Sequence, residues 1–215
     1  MNQLNLDAAH IVTILKDLAA DLKGHAEELR QLDAIVGDGD LGITIELASK
    51  AISEYLASAN ETDVGRLLAQ CGLNINKVSP STFGTILASA FIGAGKAVMG
   101  KNQLEIHDLL LMGEGAVENI QRRGKAQVGD KTVLDAIVPA VEVLKKRLGD
   151  GTKPKAAIKA AVKAAEDGMK ATTNMKAKFG RARWVQDSSV GVQDGGATAM
   201  YYMIESFARL LNSYY

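Results

Sequence analysis

The sequence has little of what several classes of protein require. Its 215 residues include a single cysteine, Cys71, which excludes an intramolecular disulfide framework. Its three histidines, His10, His25 and His107, are too scattered for a zinc-binding spacing. Basic and acidic residues are equal in number, 25 of each, so the chain has no global basic surface for nucleic acid. Any anion-binding site must therefore be local.

Long apolar runs are also missing. No stretch approaches the length of a membrane span, and residues Met1–Asn5 lack the charged and apolar regions of a signal peptide. We therefore expect a cytoplasmic protein with no membrane association. With 215 residues, 47% of them hydrophobic, we expect one domain over residues 1–215 with a substantial core.

Apolar residues recur at three- and four-residue steps along most of the chain, a pattern that predicts helices, and no strand of ordinary length is indicated. The eight predicted helices cover Leu6–Leu22, Ile43–Leu56, Asp63–Cys71, Thr82–Val98, Ile106–Arg123, Val133–Gly149, Pro154–Met175 and Ala197–Leu211. Thr62 and Asp63 are candidates for the N-cap of the third helix, and Thr152 for that of the seventh. Gly124 is expected as a left-handed cap, Pro139 as a kink, and Asp130 with Thr132 as the N-cap and first turn of the sixth helix. Most connections are short, so we expect an all-α, eight-helix antiparallel up-and-down barrel or bundle.

The loops after the first, third, fifth and seventh helices must emerge at the same end of such a bundle. These loops are residues 33–42, 74–81, 124–132 and 177–196, and they hold nearly all of the unusual residues. The last is long for a compact domain, which is typical of a functional or disordered link. We therefore expect the functional site at this rim.

Three aspartates in the first loop, Asp33, Asp38 and Asp40, follow the spacing D-x4-D-x-D with glycines between them. Carboxylates at this density, without nearby cysteine or clustered histidine, suit Mg²⁺ or Ca²⁺. A polar turn between helices is the other reading, because Asp and Gly are common in turns. Arg181 on the fourth loop is a candidate phosphate contact, or else the cap of a neighbouring helix, and Lys131 is a weaker candidate. Carboxylates and cations around one site favour phosphoryl transfer, although the sequence has no P-loop.

Four blocks together resemble the nucleotide-binding L subunit of dihydroxyacetone kinase. They are LDAIVGDGDLG at 32–42, GDKTVLDA at 129–136, GRA at 180–182 and QDGGA at 193–197. The resemblance covers almost the whole chain, with the blocks in the right order and spacing. It implies an eight-helix antiparallel barrel that binds ADP or ATP at one end.

The resemblance also implies residue roles. It assigns two Mg²⁺ ions to Asp33, Asp38 and Asp40, and it takes these aspartates with Arg181 as the catalytic groups. The implied nucleotide contacts are Leu41, Gly42, Ile43, Thr44, Ser79, Pro80, Gly124, Val133, Arg181, Asp194, Gly195 and Gly196.

The same resemblance implies a phosphotransferase that works only with a partner. A separate K-type subunit would hold dihydroxyacetone, or a related ketose such as erythrulose. The phosphoryl donor would be exchangeable ATP, or a phosphotransferase-system protein that rephosphorylates bound ADP. A homodimer is a further assembly to consider.

This chain departs from the family pattern at three places near the expected nucleotide. Leu41 replaces the usual histidine, and the segment 76–80, NKVSP, replaces a Gly-Gly-x-Ser-Gly loop. The usual Asp-Pro-Gly is Asp194-Gly195-Gly196 here, which is looser. Pro80 has no amide proton to offer a phosphate. The alternative is therefore a non-catalytic regulatory paralogue that binds Mg-nucleotide. A metal-dependent phosphohydrolase is disfavoured, since no general base is evident near the acids.

Overall fold

The computed structural model describes residues 4–214, except for the side chains of Val185 and Gln186. The single-domain prediction also included residues 1–3 and 215, which lie outside this range. The α-helices in the described chain are α1 (Ala8–Gly24), α2 (Ala26–Val36), α3 (Leu41–Ser58), α4 (Val64–Val78), α5 (Thr82–Ala97), α6 (Ile106–Gly124), α7 (Leu134–Gly149), α8 (Pro154–Ala171) and α9 (Gly195–Leu211). Three short 3-10 segments follow α8 and α9, at Thr172–Asn174, Arg181–Ser189 and Asn212–Tyr214.

The helices form a closed ring. Helix α1 packs on α3, each helix from α3 to α9 packs on the next, and α9 packs back on α1. Helix α2 follows α1 almost directly and, like α1, packs on α3 and α9. Helices α1 and α2 therefore share one position in the ring. The only sheet in residues 4–214 is an antiparallel pair of two-residue strands, β1 (Leu6–Asp7) and β2 (Gln103–Leu104). The expected all-α barrel of eight positions is confirmed.

Helix α2 is the main element that the sequence prediction omitted. The chain bends at His25, which ends α1 with a bond from its amide to the Leu22 carbonyl and begins α2 by accepting from the Leu29 amide. The His25 ring stacks on Tyr202 at 4.0 Å between centroids, which holds the bend against α9. As a result Asp33 lies in the last turn of a helix, and the acidic loop shrinks to Gly37–Asp40.

Several helix ends also differ from prediction. Helix α4 continues to Val78 because Ile75 is fully buried, so the second rim loop is only residues 79–81. Helix α8 ends at Ala171, four residues before the predicted end. The left-handed residue after α6 is Lys125, with φ 58°, and Gly124 is the last helical residue.

The predicted helix caps were confirmed for α4 but not for α7 or α8. Asp63 caps α4 by accepting from the Arg66 amide, and Pro154 begins α8. The N-cap residue of α8 is Lys153, so the predicted cap at Thr152 was wrong. Asp135, inside α7, accepts from the Gly129 and Thr132 amides, so Asp130 does not cap this helix.

Apolar residues from every part of the ring fill the barrel. The largest buried cluster joins α1, α3, α4 and α5, and a second joins α6, α7 and α9. Between them lies an apolar cavity of about 210 Å³ that reaches Phe91, Met112 and Phe207. Among residues 4–214, no helix is long and apolar enough to cross a bilayer.

Candidate functional site

The three predicted aspartates meet where α2 ends and α3 begins. Asp33 faces the turn from the last turn of α2, whose end is marked by the Gly37 amide donating to the Asp33 carbonyl at 2.6 Å. Gly39 adopts φ +72°, a conformation that favours glycine, and so lets the chain reverse between Asp38 and Asp40. Asp40 is the N-cap residue of α3, although its side chain does not cap the helix.

One oxygen from each of these carboxylates lies within 4.8 Å of the others. Arg181, from the last rim loop, pairs with Asp38 and approaches Asp40 at 3.5 Å through Nη2. One guanidinium thus faces three carboxylates, which leaves the cluster with a negative balance. The buried Oδ2 of Asp33 has no hydrogen-bond partner in the structure. An orphaned carboxylate oxygen beside two further acids fits a divalent cation with oxygen ligands.

The pKa of Asp33 is raised above its ordinary value. Burial is the main cause, and the neighbouring charges of Asp38 and Asp40 add to it. The backbone amides of Leu41 and Gly39 act in the opposite direction and favour the ionised form. A bound cation would remove the repulsion and favour ionisation of the whole cluster.

A cavity of about 220 Å³ opens directly beside the acids. It is built from the loops after α2, α6 and α8 and from the start of α5, at the rim that the antiparallel prediction placed at one end. One side carries Asp33, Asp38, Asp40 and Arg181. The other side is mainly apolar, with Val36, Phe83, Ile86, Ile120, Val133 and Phe179. Such a cavity suits a ligand with a flat apolar part and an anionic part.

The start of α9 forms the wall between the two sides. Asp194 caps this helix by accepting from the Ala197 amide at 2.7 Å. Gly195 and Gly196 then bring the backbone close to the cavity, and a Cβ on Gly195 would lie 2.8 Å from Leu41 Cδ2. The first amides of a helix have no partner within it and favour an anion. This end of α9 therefore suits the anionic part of a ligand.

The structure brings together most of the residues that the resemblance implied. The cavity is lined by Asp33, Asp38, Asp40, Leu41, Gly124, Val133, Arg181, Asp194, Gly195 and Gly196.

Five of the implied nucleotide contacts lie apart from this lining. Gly42 packs on α2, where a Cβ would come 2.3 Å from the Ala26 carbonyl oxygen. Ile43 points to solvent, and Pro80 is exposed. Thr44 is buried and shares a hydrogen bond with Ser81, at 2.9 Å between hydroxyl oxygens.

Ser79 is also buried, under the start of α5. Its Oγ has no hydrogen-bond partner in the structure, and it would lie 2.3 Å from a Cβ on Gly84. Its predicted contact with a nucleotide, like that of the other four, stays a prediction.

Other residues of the site were missed. The apolar lining of Phe83, Ile86, Ile120 and Phe179 gave no signal in the sequence, because such residues look like ordinary core positions. Lys131 was considered as a phosphate contact, but its Nζ is occupied by backbone carbonyls. The left-handed conformations of Gly129 and Lys131, at φ 91° and 63°, mark this turn as specialised, and only the glycine was a cue in the sequence.

A closed barrel of helices with a carboxylate cluster and a half-apolar cavity at one rim defines a class of all-helical binding domain. The profile of the DAK2 domain matches residues 35–209. The chain therefore belongs to the DAK2 domain family.

Comparison with individual proteins agrees over nearly the full chain. The chain is 29% identical to the ADP-binding subunit DhaL of the PEP-dependent dihydroxyacetone kinase of Escherichia coli K12, over 95% of this chain and 98% of that subunit. It is 30% identical to the corresponding subunit of kinase 2 of Listeria innocua, over 95% of each. The match to a D-erythrulose kinase of Mycolicibacterium smegmatis, at 33% identity, covers 85% of this chain but only 32% of that enzyme.

A solved structure shares the fold. The dihydroxyacetone kinase of C. freundii in complex with AMP-PNP and Mg²⁺ superposes with a TM-score of 0.73 at 25% identity, over 95% of this chain and 34% of that one.

Proposed function

We propose that this chain is the Mg-nucleotide-binding subunit of a dihydroxyacetone kinase, or of a kinase for a related small ketose. The observation that carries the proposal is the cavity at the rim, where a carboxylate cluster and Arg181 adjoin an apolar slot. Similarity to two ADP-binding subunits over nearly their full lengths supports it.

The residues on the polar side of the cavity have different roles, which follow from their chemistry. Asp33, Asp38 and Asp40 hold the metal, as two Mg²⁺ ions, and bound Mg²⁺ supplies charge neutralisation at phosphate oxygens. Arg181 turns its guanidinium from the carboxylates toward the phosphoryl group and stabilises the charge that develops there. The backbone at Gly195 and Gly196 faces the remaining phosphate oxygens.

The apolar side of the cavity receives the base of ADP or ATP. Phe83, Ile120, Val133 and Phe179 exclude water from it and provide area for stacking. Gly124 and Leu41 complete the lining.

The acceptor is held by a separate K-type subunit. The family resemblance implies that a K subunit holds dihydroxyacetone through a histidine, and no histidine lines this cavity in the part of the chain that the structure describes. The donor that we propose is a phosphoryl carrier of the phosphotransferase system acting on bound ADP, because the two relatives matched over nearly their full lengths are PEP-dependent.

The test combines the purified chain with a K-type subunit and dihydroxyacetone. Mg-ATP is supplied in one arm, and PEP with the phosphotransferase proteins in the other, and triose phosphate is measured. We expect product, reduced by about 10²-fold or more in Asp38→Asn, since loss of a charge-stabilising group costs this much in comparable sites. Asp17→Asn, an exposed acid on α1, is the control and keeps full activity.

The arms separate the alternatives. Product only in the arm with PEP and the phosphotransferase proteins supports the proposed donor. Product only in the Mg-ATP arm overturns the proposed donor but still supports the kinase function. Tight Mg-ADP binding with no product from either donor would establish the regulatory paralogue instead. Phosphate release by the chain alone would point to a hydrolase.

A further inference from the structure

Lys131 is one of the most deeply buried charged residues described, and no carboxylate pairs with its ammonium. Only 2% of the residue is exposed, in a left-handed conformation with φ 63°. Its Nζ donates to the carbonyl oxygens of Thr172 at 2.8 Å, Met175 at 3.2 Å, Ser189 at 2.6 Å and Val192 at 2.6 Å. An ammonium has three protons, so these four acceptors saturate it. Lys131 in this state has no proton left to offer a phosphate.

The four acceptors come from the two ends of one rim segment. This segment is residues 172–192: Thr172 and Met175 lie at its beginning, and Ser189 and Val192 lie at its end. Lys131 therefore fastens the base of the 172–192 segment to the turn before α7. Burying an ammonium is costly unless its protons are satisfied, so the two ends are held together by a strong constraint.

Neighbouring bonds reinforce the same base. The Gly191 amide donates to the Thr173 carbonyl at 2.7 Å, and the Ala177 amide donates to Ser189 Oγ at 3.0 Å. Next to Lys131, Asp130 accepts from Lys178 Nζ at 2.8 Å through its side chain. The base is thus buried and bonded on several sides.

The middle of the same segment, here called its tip, contains Arg181 and Trp184 and has fewer buried contacts than the base. The side chain of Arg181 is 62% exposed and pairs with Asp38 and Asp40. Trp184 is 77% exposed. Closing a loop at its base lowers the entropy lost when its tip takes one position. The position of Arg181 therefore depends on the base that Lys131 closes.

We propose that Lys131 is a positioning residue, which clamps the two ends of the 172–192 segment and so holds Arg181 at the carboxylate cluster. The kinetic part of this inference rests on the proposed function. The structural part does not, because it concerns the order of the segment in the chain alone.

The first experiment measures the mobility of the 172–192 segment and requires no enzymatic assay. Trp184 is the only tryptophan of the chain and lies within the segment, so its fluorescence reports on the segment alone. We expect lower anisotropy and stronger acrylamide quenching in Lys131→Met, while helical circular dichroism is kept. Lys125→Met is the matched control, since Lys125 is also left-handed, at φ 58°, but exposed, and its spectrum should equal that of the native chain. An unchanged Trp184 signal in Lys131→Met would overturn the clamp.

The second experiment asks whether Lys131 acts through Arg181. With the K-type subunit present, we expect Lys131→Met to lower kcat by about tenfold or more, with a much smaller change in KM, because tenfold corresponds to one well-placed interaction in the transition state. In an Arg181→Gln background the same substitution should change kcat by less than about threefold. Independent, multiplicative losses would show that Lys131 does not act through Arg181. Lys131→Arg, which keeps the charge and donors, should recover part of the loss.

Hydrogen exchange of the native chain decides the case if Lys131→Met does not fold. The amides of Ala177 and Gly191, at the base, should exchange much more slowly than those at the tip. Equal rates would overturn the clamp. If the fluorescence and exchange results hold but no phosphoryl transfer occurs, the proposed function fails and the clamp stands.

Discussion

Asp194 combines a structural role with an unusual electrostatic one. Its carboxylate caps α9, and burial raises its pKa to about 6, helped by the charges of Asp135 and Asp33. The Ala197 amide and the Lys131 ammonium oppose this shift but do not cancel it. A carboxyl whose pKa is higher in the folded chain than its ordinary 3.8 loses its proton less readily when folded, so its ionisation opposes folding.

This shift predicts a pH dependence with a definite sign. The contribution of Asp194 to the free energy of unfolding is greatest below pH 4 and falls as the pH rises through 6. Asparagine caps a helix about as well as aspartate but does not ionise. Asp194→Asn should therefore gain stability on the native chain between pH 4 and 7, by about 1–2 kcal/mol for a partly enclosed group. Urea unfolding in EDTA across this range measures it, and parallel profiles would contradict the raised pKa.

Asp130 provides the opposite case and a control. Its hydrogen bond with Lys178 holds its pKa below the usual value. Its contribution is present above pH 4 and disappears as the carboxyl is protonated. Asp130→Asn should therefore be less stable than the native chain at pH 7, and the difference should shrink toward pH 3.

For individual residues, the sequence predicted the carboxylate side of the cavity better than the apolar side. Asp33, Asp38 and Asp40 are close in sequence, so their spacing alone placed them together. Phe83 and Phe179 come from distant segments and differ from core residues only by facing the cavity. Lys131 was misread because its partners are backbone carbonyls, which leave no pattern in a sequence.

At the scale of helices, close packing depends on glycines in α5 and α6. A Cβ on Gly93 would lie 2.2 Å from the Gly115 carbonyl oxygen, and a Cβ on Gly115 would lie 2.5 Å from the Gly93 carbonyl oxygen. The two backbones therefore touch where these glycines cross. Neither carbonyl can move without breaking helical hydrogen bonds.

We expect Gly93→Ala to lower the free energy of unfolding by about 2–3 kcal/mol, the range for overpacking a tight core contact. Gly24→Ala is the matched control. No atom lies within 4 Å of a Cβ there, so alanine should stabilise α1 by about 0.5–1 kcal/mol. Thermal unfolding of both variants checks the pair. Equal melting temperatures would mean that α5 and α6 are not in backbone contact.

The helices themselves were predictable to the extent that local pattern decides them. The apolar period located a helix at each of the eight ring positions, and short connections gave the order. Helix α2 was missed because its polar face dominates its sequence and only Ala26 and Leu29 are buried. The bend at His25 depends on stacking with Tyr202, more than 170 residues away, which no local pattern contains.

The whole barrel is what assembles the site. The cavity draws on α2, α3, α5, α6, α7, the 172–192 segment and α9. The ring closes where α9 meets α1, with Asp21 bonded to Ser206 at 2.5 Å and paired with Arg209. Partial unfolding of any of these elements separates the walls of the cavity. A ligand of the cavity must therefore bind the folded barrel and not the unfolded chain.

This dependence makes ligand binding visible as global stability. At a concentration 100 times its dissociation constant, ADP with Mg²⁺ should stabilise the folded state by about 2.7 kcal/mol. For a chain of this size that corresponds to a rise in Tm of roughly 5–10 °C. Mg²⁺ alone should give a smaller rise, because it must displace Arg181 from Asp38 and Asp40 without gaining phosphate oxygens. ADP in EDTA should give only a small rise in Tm, because its phosphates would then face three carboxylates with no cation between them.

The variant Asp38→Asn separates the two halves of the cavity in the same measurement. It removes one charge from the cluster and leaves the apolar slot intact, so the difference between ADP with Mg²⁺ and ADP in EDTA should largely disappear. Asp17→Asn should keep the full difference. A rise in Tm with ADP that is equal in Mg²⁺ and EDTA, for the native chain, would mean that the nucleotide binds without metal and that the carboxylates have another task.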